Sequence, residues 1–389
     1  MTATSSGSGR PSGPLSGVRV LDLSALGPGP FCSMLLADYG ADVVSVVRPN
    51  PEPFDPAPMF ARGKRTVVVD LRADGGAEVL RRLAAGVDVF LEGFRPGTME
   101  RRGLGPEELL ADNPRLVYAR LTGYGQAGPY ATRAGHDITY IAVAGALGAI
   151  GRTEPIPPLN IVGDFAGGSV NAAMGIALAL FERERTGRGQ VVDAAMVDGA
   201  ALLMMAQLAF HGRGQWDGLG TSTLSGNAPY YGTYQCADGR WFAVGAIEER
   251  FYLELLGLLG LDPVELADRD DAANWPQLRA QFAAVFACES RAHWTKVFGD
   301  SDACGSAVLA IDELVDDPHL SARRTVVVHD GLAQPSPAPR FGIAGSTLDP
   351  LPVRSRPSEP TTRAVLAASG FSDAELDDYA RRGALPDLR

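Results

Sequence analysis

Cysteine and histidine are scarce in this chain of 389 residues, and neither forms a pattern that would give it a shared purpose. The four cysteines (Cys32, Cys236, Cys288, Cys304) make no CxxC, and the five histidines (His136, His211, His293, His319, His329) never fall at metal-ligand spacing. A zinc or iron centre and a disulfide framework are therefore disfavoured, and reduced thiols are expected. No GxGxxG follows the first strand-like run; SALGPGP (24–30) stands there, and its prolines spoil a phosphate-cradling backbone. No apolar run reaches membrane-spanning length free of glycine or charge, so no membrane partner is expected. Positive charge is also short: a net charge of −11 argues against a nucleic-acid partner, yet a local basic pocket for a small anion can coexist with an acidic surface. Residues 1–14 are small, polar and rich in Gly and Pro, with no apolar h-region. They predict a disordered tail, not a signal peptide, on a cytoplasmic protein.

What is present is ordinary in amount, 46% hydrophobic and 21% charged residues, and informative in order. Short β-branched runs at 18–24, 42–47, 66–71, 87–92 and 116–122 alternate with helix-like segments at 30–40, 75–86 and 106–113. Gly86 is expected at C′ of the second helix and Pro106 at N1 of the third. The alternation predicts an α/β fold with a parallel, Rossmann-like sheet that binds its ligand beyond the carboxyl ends of the strands. Residues 166–181 read as a small-residue helix, 182–190 as an exposed connector, 191–196 as a strand and 197–228 as a linker. A smaller α+β unit over 229–315 opens with a hairpin turning at ADG, followed by helices near 249–260, 276–287 and 291–299.

Two motifs carry chemistry. His136 lies in GHDITY (135–140) and Asp164 in VGDFAGG (162–168), each at a predicted helix start. Brought together across a cleft, an imidazole and a carboxylate would flank a substrate carbon from opposite sides, the minimum needed to take a proton from one face and return it to the other. That is racemase or epimerase chemistry. A lone histidine is otherwise a satisfied core residue, and a lone aspartate at a helix start an N-cap. The backbone N–H of Asp137 is a candidate donor to an enolate oxygen, although its side chain has a capping role open to it. Gly167 and Gly168 suit either close substrate approach or tight helix packing. Arg48, Arg72, Arg95 and Arg101 each fall at or just after a predicted strand end, where arginine forks suit phosphates. Lys64 and Arg65 read as solvated surface residues. Met and small residues at 196–206 suit a greasy acyl site or a buried helix, and the proline-rich loop 49–58 a flexible edge at its entrance.

These phrases, with LSGVRVLDLSALGPGP (15–30), EGFRPGTMERRGLG (92–105), YARLTGYGQAGP (118–129), GRGQVVDAAMVDG (187–199) and APYYGTYQCADGRWFAVGAIE (228–248), resemble the class III CoA-transferase family over roughly residues 15–345. The resemblance implies an interlocked homodimer. Its large domain would comprise 15–196, completed by about 338–389, and would be joined to the small domain by linkers at 197–228 and 316–337. It implies a 2-methylacyl-CoA substrate inverted at C2, with CoA as part of the substrate and no separate cofactor. It further implies that Glu248 reaches His136 and Asp164 from the partner chain, and that Arg48, Asp70, Leu71, Arg72, Gly93, Phe94, Arg95, Arg101, Gly135 and Tyr140 hold the CoA thioester. Asp164 must be protonated when His136 is the base. A helix N-terminus lowers its pKa while burial and a second carboxylate raise it, and raising is expected to win. CoA transfer, with Asp164 as nucleophile, is the rival activity. Nothing functional is placed beyond about residue 345.

Overall fold

A computed structural model describes residues 13–25, 27–50, 60–342, 351–354 and 362–388. Six strands, β1 (Arg19–Asp22), β2 (Asp42–Val47), β3 (Lys64–Val68), β4 (Val89–Glu92), β5 (Val117–Thr122) and β6 (Val191–Ala195), make one parallel sheet in the order β3-β2-β1-β4-β5-β6. The chain leaves β1 towards β2 on one side and returns through β4 on the other, so the sheet has its switch point between β1 and β4. Alternate residues of each strand face opposite sides. Leu21, Val44, Phe90 and Tyr118 enter a core with α2 (Gly76–Ala84) and α3 (Pro106–Asp112). Val20, Val43, Val89 and Val117 enter another with α1 (Pro28–Asp38) and with α5 (Asn171–Thr186), which comes later in the chain than α4 (Asp137–Val143). Both faces are covered, which is why these strands read as continuous apolar runs.

Local signals explain several boundaries. Pro106 occupies N1 of α3 behind the cap Gly105, as expected. Gly86 follows the last cap of α2 but does not adopt the left-handed conformation expected of a C′ glycine. The prolines of SALGPGP begin α1, where a missing N–H costs nothing. Residues 161–170 wind as a π-helix that runs straight into α5, giving a continuous helix Ile161–Thr186. This helix is long and apolar enough, by length and composition, to cross a membrane. Its small residues pack instead against α6 (Met196–Leu203): a Cβ on Gly199 would stand 1.9 Å from the Gly167 carbonyl oxygen. The connector expected at 182–190 begins only after Thr186, because Arg183 is buried and paired with Asp88 at 3.0 Å, which holds the last helical turn down.

Contacts divide the chain into a larger unit (13–144, 159–203 and 318–388 of the described residues) and a smaller one (145–158 and 204–317). The stretch 197–228, read above as a linker, starts with helix: α6 belongs to the larger unit and α7 (Met205–Gly212) to the smaller. The smaller unit holds an antiparallel sheet of β7 (Tyr231–Gln235), β8 (Trp241–Gly245) and β9 (Gly305–Ala307), with α8 (Glu249–Leu259), α9 (Trp275–Phe286) and α10 (Arg291–Phe298). Its core is aromatic, with Tyr234 stacked on Phe286 at 5.0 Å. The chain then re-enters the larger unit through the hairpin β10 (Val326–His329) and β11 (Leu332–Pro335). The helices α11 (Thr362–Ala368) and α12 (Asp373–Arg382) complete the core under β3 and α2.

Candidate active site

Two cavities open at the carboxyl ends of the strands. One, of about 810 Å³, is lined by His136, Asp164, Gly135, Tyr140, Gly93 and Met196 among others. The second, of about 840 Å³, is lined by Asp70, Leu71, Arg72 and Arg102, and Leu23, Ser24, Ala25, Arg48, Phe94 and Arg95 line both. The shared residues come from the turns after β1, β2 and β4, so the cavities meet at the switch point.

The backbone of His136 caps α4. Its N–H donates to Thr139 Oγ1 at 3.0 Å and Thr139 Oγ1 donates back to the His136 carbonyl at 2.8 Å, while the imidazole has no hydrogen-bond partner among the described residues. Asp164 lies in the first turn of the π-helix, not at its cap; the cap is Asn160, whose side chain donates to Asp164 Oδ2 at 3.2 Å. Burial pushes the Asp164 carboxyl above its ordinary range and the nearby Asp137 charge adds to this, against the Asn160 hydrogen bond and the pull of His136. The rise requires no second carboxylate from elsewhere.

Asp137 is buried and lines neither cavity. Its Oδ2 accepts from the N–H groups of Gly163 and Asp164, both at 2.7 Å. The side chain thus caps the π-helix and fixes the backbone that presents Asp164. Only glycine fits at 163, since a Cβ there would meet this oxygen at 2.6 Å. Gly167 and Gly168 take the packing role: a Cβ would stand 2.7 Å from the Ala200 nitrogen on the first and 2.9 Å from the Met196 side chain on the second. Tyr140 donates its hydroxyl to the Gly135 carbonyl at 2.5 Å, and burial drives its pKa up to about 12.

Among the cations, Arg48, Arg72 and Arg95 line the cavities and Arg101 does not. Arg101 bonds Thr98 Oγ1 at 3.3 Å, while Arg102, one residue on in the short turn after β4, lines the second cavity and donates to the Leu71 carbonyl at 3.0 Å. The helical winding of 100–102 chose between these neighbours, which sequence alone did not rank. Lys64 is not a surface residue. It is 3% exposed, and its Nζ bonds the Pro30 carbonyl and Ser33 Oγ at 2.6 Å and pairs with buried Asp22 at 3.6 Å. Asp22 in turn accepts the Ser24 N–H at 2.9 Å, so this pair supports the turn between the cavities. Arg65 pairs with Asp42 at 2.6 Å. Glu248, in the smaller unit, is exposed at the N-cap of α8.

Residues 51–59, most of the proline-rich loop, lie outside the described residues. Phe60, just beyond, packs with Phe31 and Phe165, centroids 5.5 and 5.9 Å away. Phe60 and Phe165, backed by Phe31, line the cavity of His136 and Asp164 as an apolar wall, and the three rings come from distant segments for which the sequence carries no common signal. Asn160 was missed in the sequence; the signal it carries is that of an amide side chain four residues before Asp164. Among the described residues, no group of three or more His, Cys, Asp or Glu is placed to hold a metal ion.

Below the Gly93–Arg95 turn, Glu92 is fully buried; its Oε2 accepts the Phe94 N–H at 2.6 Å and its Oε1 the Arg120 Nε at 2.9 Å. Burial outweighs both bonds and pushes its pKa from 4.5 up to about 7. The folded state therefore binds this proton more tightly than the unfolded chain. The associated stability is complete below the ordinary carboxyl range and is lost as pH rises through about 7. Denaturant melts from pH 5 to 8 are expected to show this decline, and Glu92→Gln to flatten it; an unchanged slope in the variant would assign the dependence elsewhere.

A family model described as CoA-transferase family III matches residues 15–362. The chain is 46% identical over 367 residues to the α-methylacyl-CoA racemase of Mus musculus, covering 93% of this chain and 95% of that protein. It is 46% identical over 329 residues to the Homo sapiens protein of the same name, covering 84% and 86%. The crystal structure of a CAIB/BAIF family protein from Brucella suis superposes with a TM-score of 0.78 at 25% identity, over 93% of this chain and all of that one.

Proposed function

From the premise that this chain belongs to CoA-transferase family III, we propose that it is a racemase of 2-methylacyl-CoA thioesters. The observation that carries this reading is the presence of His136 and Asp164 in one cavity, with burial favouring the protonated form of Asp164. A neutral imidazole removes the C2 proton from one face, the thioester becomes an enolate, and the carboxylic acid delivers a proton to the other face; the opposite hand reverses the roles. Each inversion of the first hand leaves His136 protonated and Asp164 ionised, the form that acts on the opposite hand, and proton exchange with solvent restores the starting pair. Asp137, which lines neither cavity, contributes by holding the backbone of Gly163 and Asp164 from beneath the site. Arg48, Arg72, Arg95 and Arg102 supply cations for the phosphates, with Asp70, Leu71, Gly93 and Phe94 along the CoA path. This chemistry asks for no metal, nicotinamide or flavin. The high identity to two proteins named as racemases supports it over CoA transfer, as does the imidazole beside Asp164, which a nucleophilic aspartate does not need.

The deciding experiment incubates one pure epimer of a 2-methylacyl-CoA with enzyme in deuterated water. Inversion with deuterium at C2 is expected. Retained hydrogen at C2, with an Asp164 acyl adduct trapped by hydroxylamine, would identify the transferase instead.

Within this reading the working form is a homodimer whose site is completed by the partner's small unit. Val170, Met174, Leu178 and Phe181 are all more than half exposed and recur at helical spacing along one face of the long helix, as expected of a surface that a second chain covers. Mixing inactive His136→Ala with inactive Glu248→Ala protein under conditions of subunit exchange is expected to restore part of the activity. Verified exchange without recovery would remove Glu248 from the shared site.

A further inference from the structure

We propose that the C-terminal helix α12 is a positioning brace for the phosphate side of the ligand cavity, acting through Arg382. The inference rests on the assignment of that cavity to the nucleotide end of a CoA thioester. The turn after β3 contributes Val69, Asp70, Leu71 and Arg72 to the second cavity. Because β3 is the edge of the sheet, no further strand among the described residues steadies this turn. The C-terminal segment does so. The Asp70 N–H donates to the Ala384 carbonyl at 2.9 Å, and Asp74 and Gly383 form a parallel bridge.

The Arg382 guanidinium grips the far side of the same turn with two forks. Nε and one terminal nitrogen reach the Asp74 carboxylate at 2.9 and 3.0 Å, and the terminal nitrogens reach Glu78, on the first turn of α2, at 3.0 and 2.8 Å. Bidentate pairing fixes direction as well as distance. Gly75, between these anchors, has φ of 87° and lies flat against Tyr379, where a Cβ would approach the ring to 2.8 Å. Inside the turn, the Arg72 N–H donates to Asp70 Oδ1 at 2.8 Å, and Arg102 holds the Leu71 carbonyl from the cavity side. The backbone that presents Arg72 is thus clamped between a cavity arginine and a C-terminal one. The segment lies beyond residue 362, outside the part of the chain matched by the family model.

The test compares binding of CoA and of pantetheine, which lacks the nucleotide, by titration calorimetry on full-length Arg382→Gln and Asp74→Asn proteins. Both variants are expected to lose about tenfold in CoA affinity, the scale of one disturbed hydrogen bond to a charged group, with pantetheine affinity and kcat for the thioester unchanged. Arg72→Gln, which removes a phosphate cation itself, is expected to weaken CoA binding at least as much, and Arg72→Gln with Arg382→Gln little more than Arg72→Gln alone, since the brace acts through that turn. Unchanged CoA affinity, an equal loss for CoA and pantetheine, or additive losses in the double variant each overturn the brace. A wild-type protein that binds no CoA refutes the cavity's assignment itself and with it the proposed function.

Discussion

Replacing His136 by Ala is expected to lower inversion of both hands of a 2-methylacyl-CoA by about 10²–10⁴-fold, the usual contribution of one general acid or base. On the proposed two-base reading His136 serves each direction once, as base for one hand and acid for the other, so neither direction escapes. Deuterium exchange without inversion persists in the hand that faces Asp164, because that carboxylate still removes its proton. The fold should be unaffected. The imidazole is exposed, and the hydrogen bonds at this cap are made by the His136 backbone with Thr139, which Ala retains. Chiral analysis of product from each epimer, beside C2 deuterium content, separates the two effects. Inversion within a fewfold of wild type would remove His136 from the proton path.

The second large effect is on stability. Lys64→Met leaves Asp22, 1% exposed, without its cation, and breaking a buried pair by removing one partner costs about 3–5 kcal/mol. The lost bonds to Pro30 and Ser33 loosen the start of α1 as well. A clear fall in the denaturant midpoint is expected, and Asp22→Asn added to Lys64→Met should recover part of it by removing the stranded charge. A shift below about 1 kcal/mol, the range of exposed pairs, would mean that water reaches Asp22.

The sheet was legible because its evidence is local. All six strands lie within the runs that their sequence marked, or within one or two residues of them; the inner strands β1, β4 and β5, buried almost throughout, give the clearest signal. Pro106 announced α3 for an equally local reason, and the GHDITY and VGDFAGG motifs named the two residues that now line one cavity. Tertiary structure decided what depends on partners remote in sequence. Lys64 reads as a surface cation until Asp22, Pro30 and Ser33 close around it, since a lysine is buried only where distant groups take up its charge. Asp137 sits beside His136 in sequence, yet its Oδ2 accepts the amides of Gly163 and Asp164, more than twenty residues away. Arg102 displaced Arg101 by the phase of one short helical turn. The Phe31, Phe60 and Phe165 wall, and the hold of Arg382 on the turn that carries Arg72, join segments with no shared pattern. Periodicity reports which faces of an element are buried; which charges meet across the fold is set only when the whole chain closes.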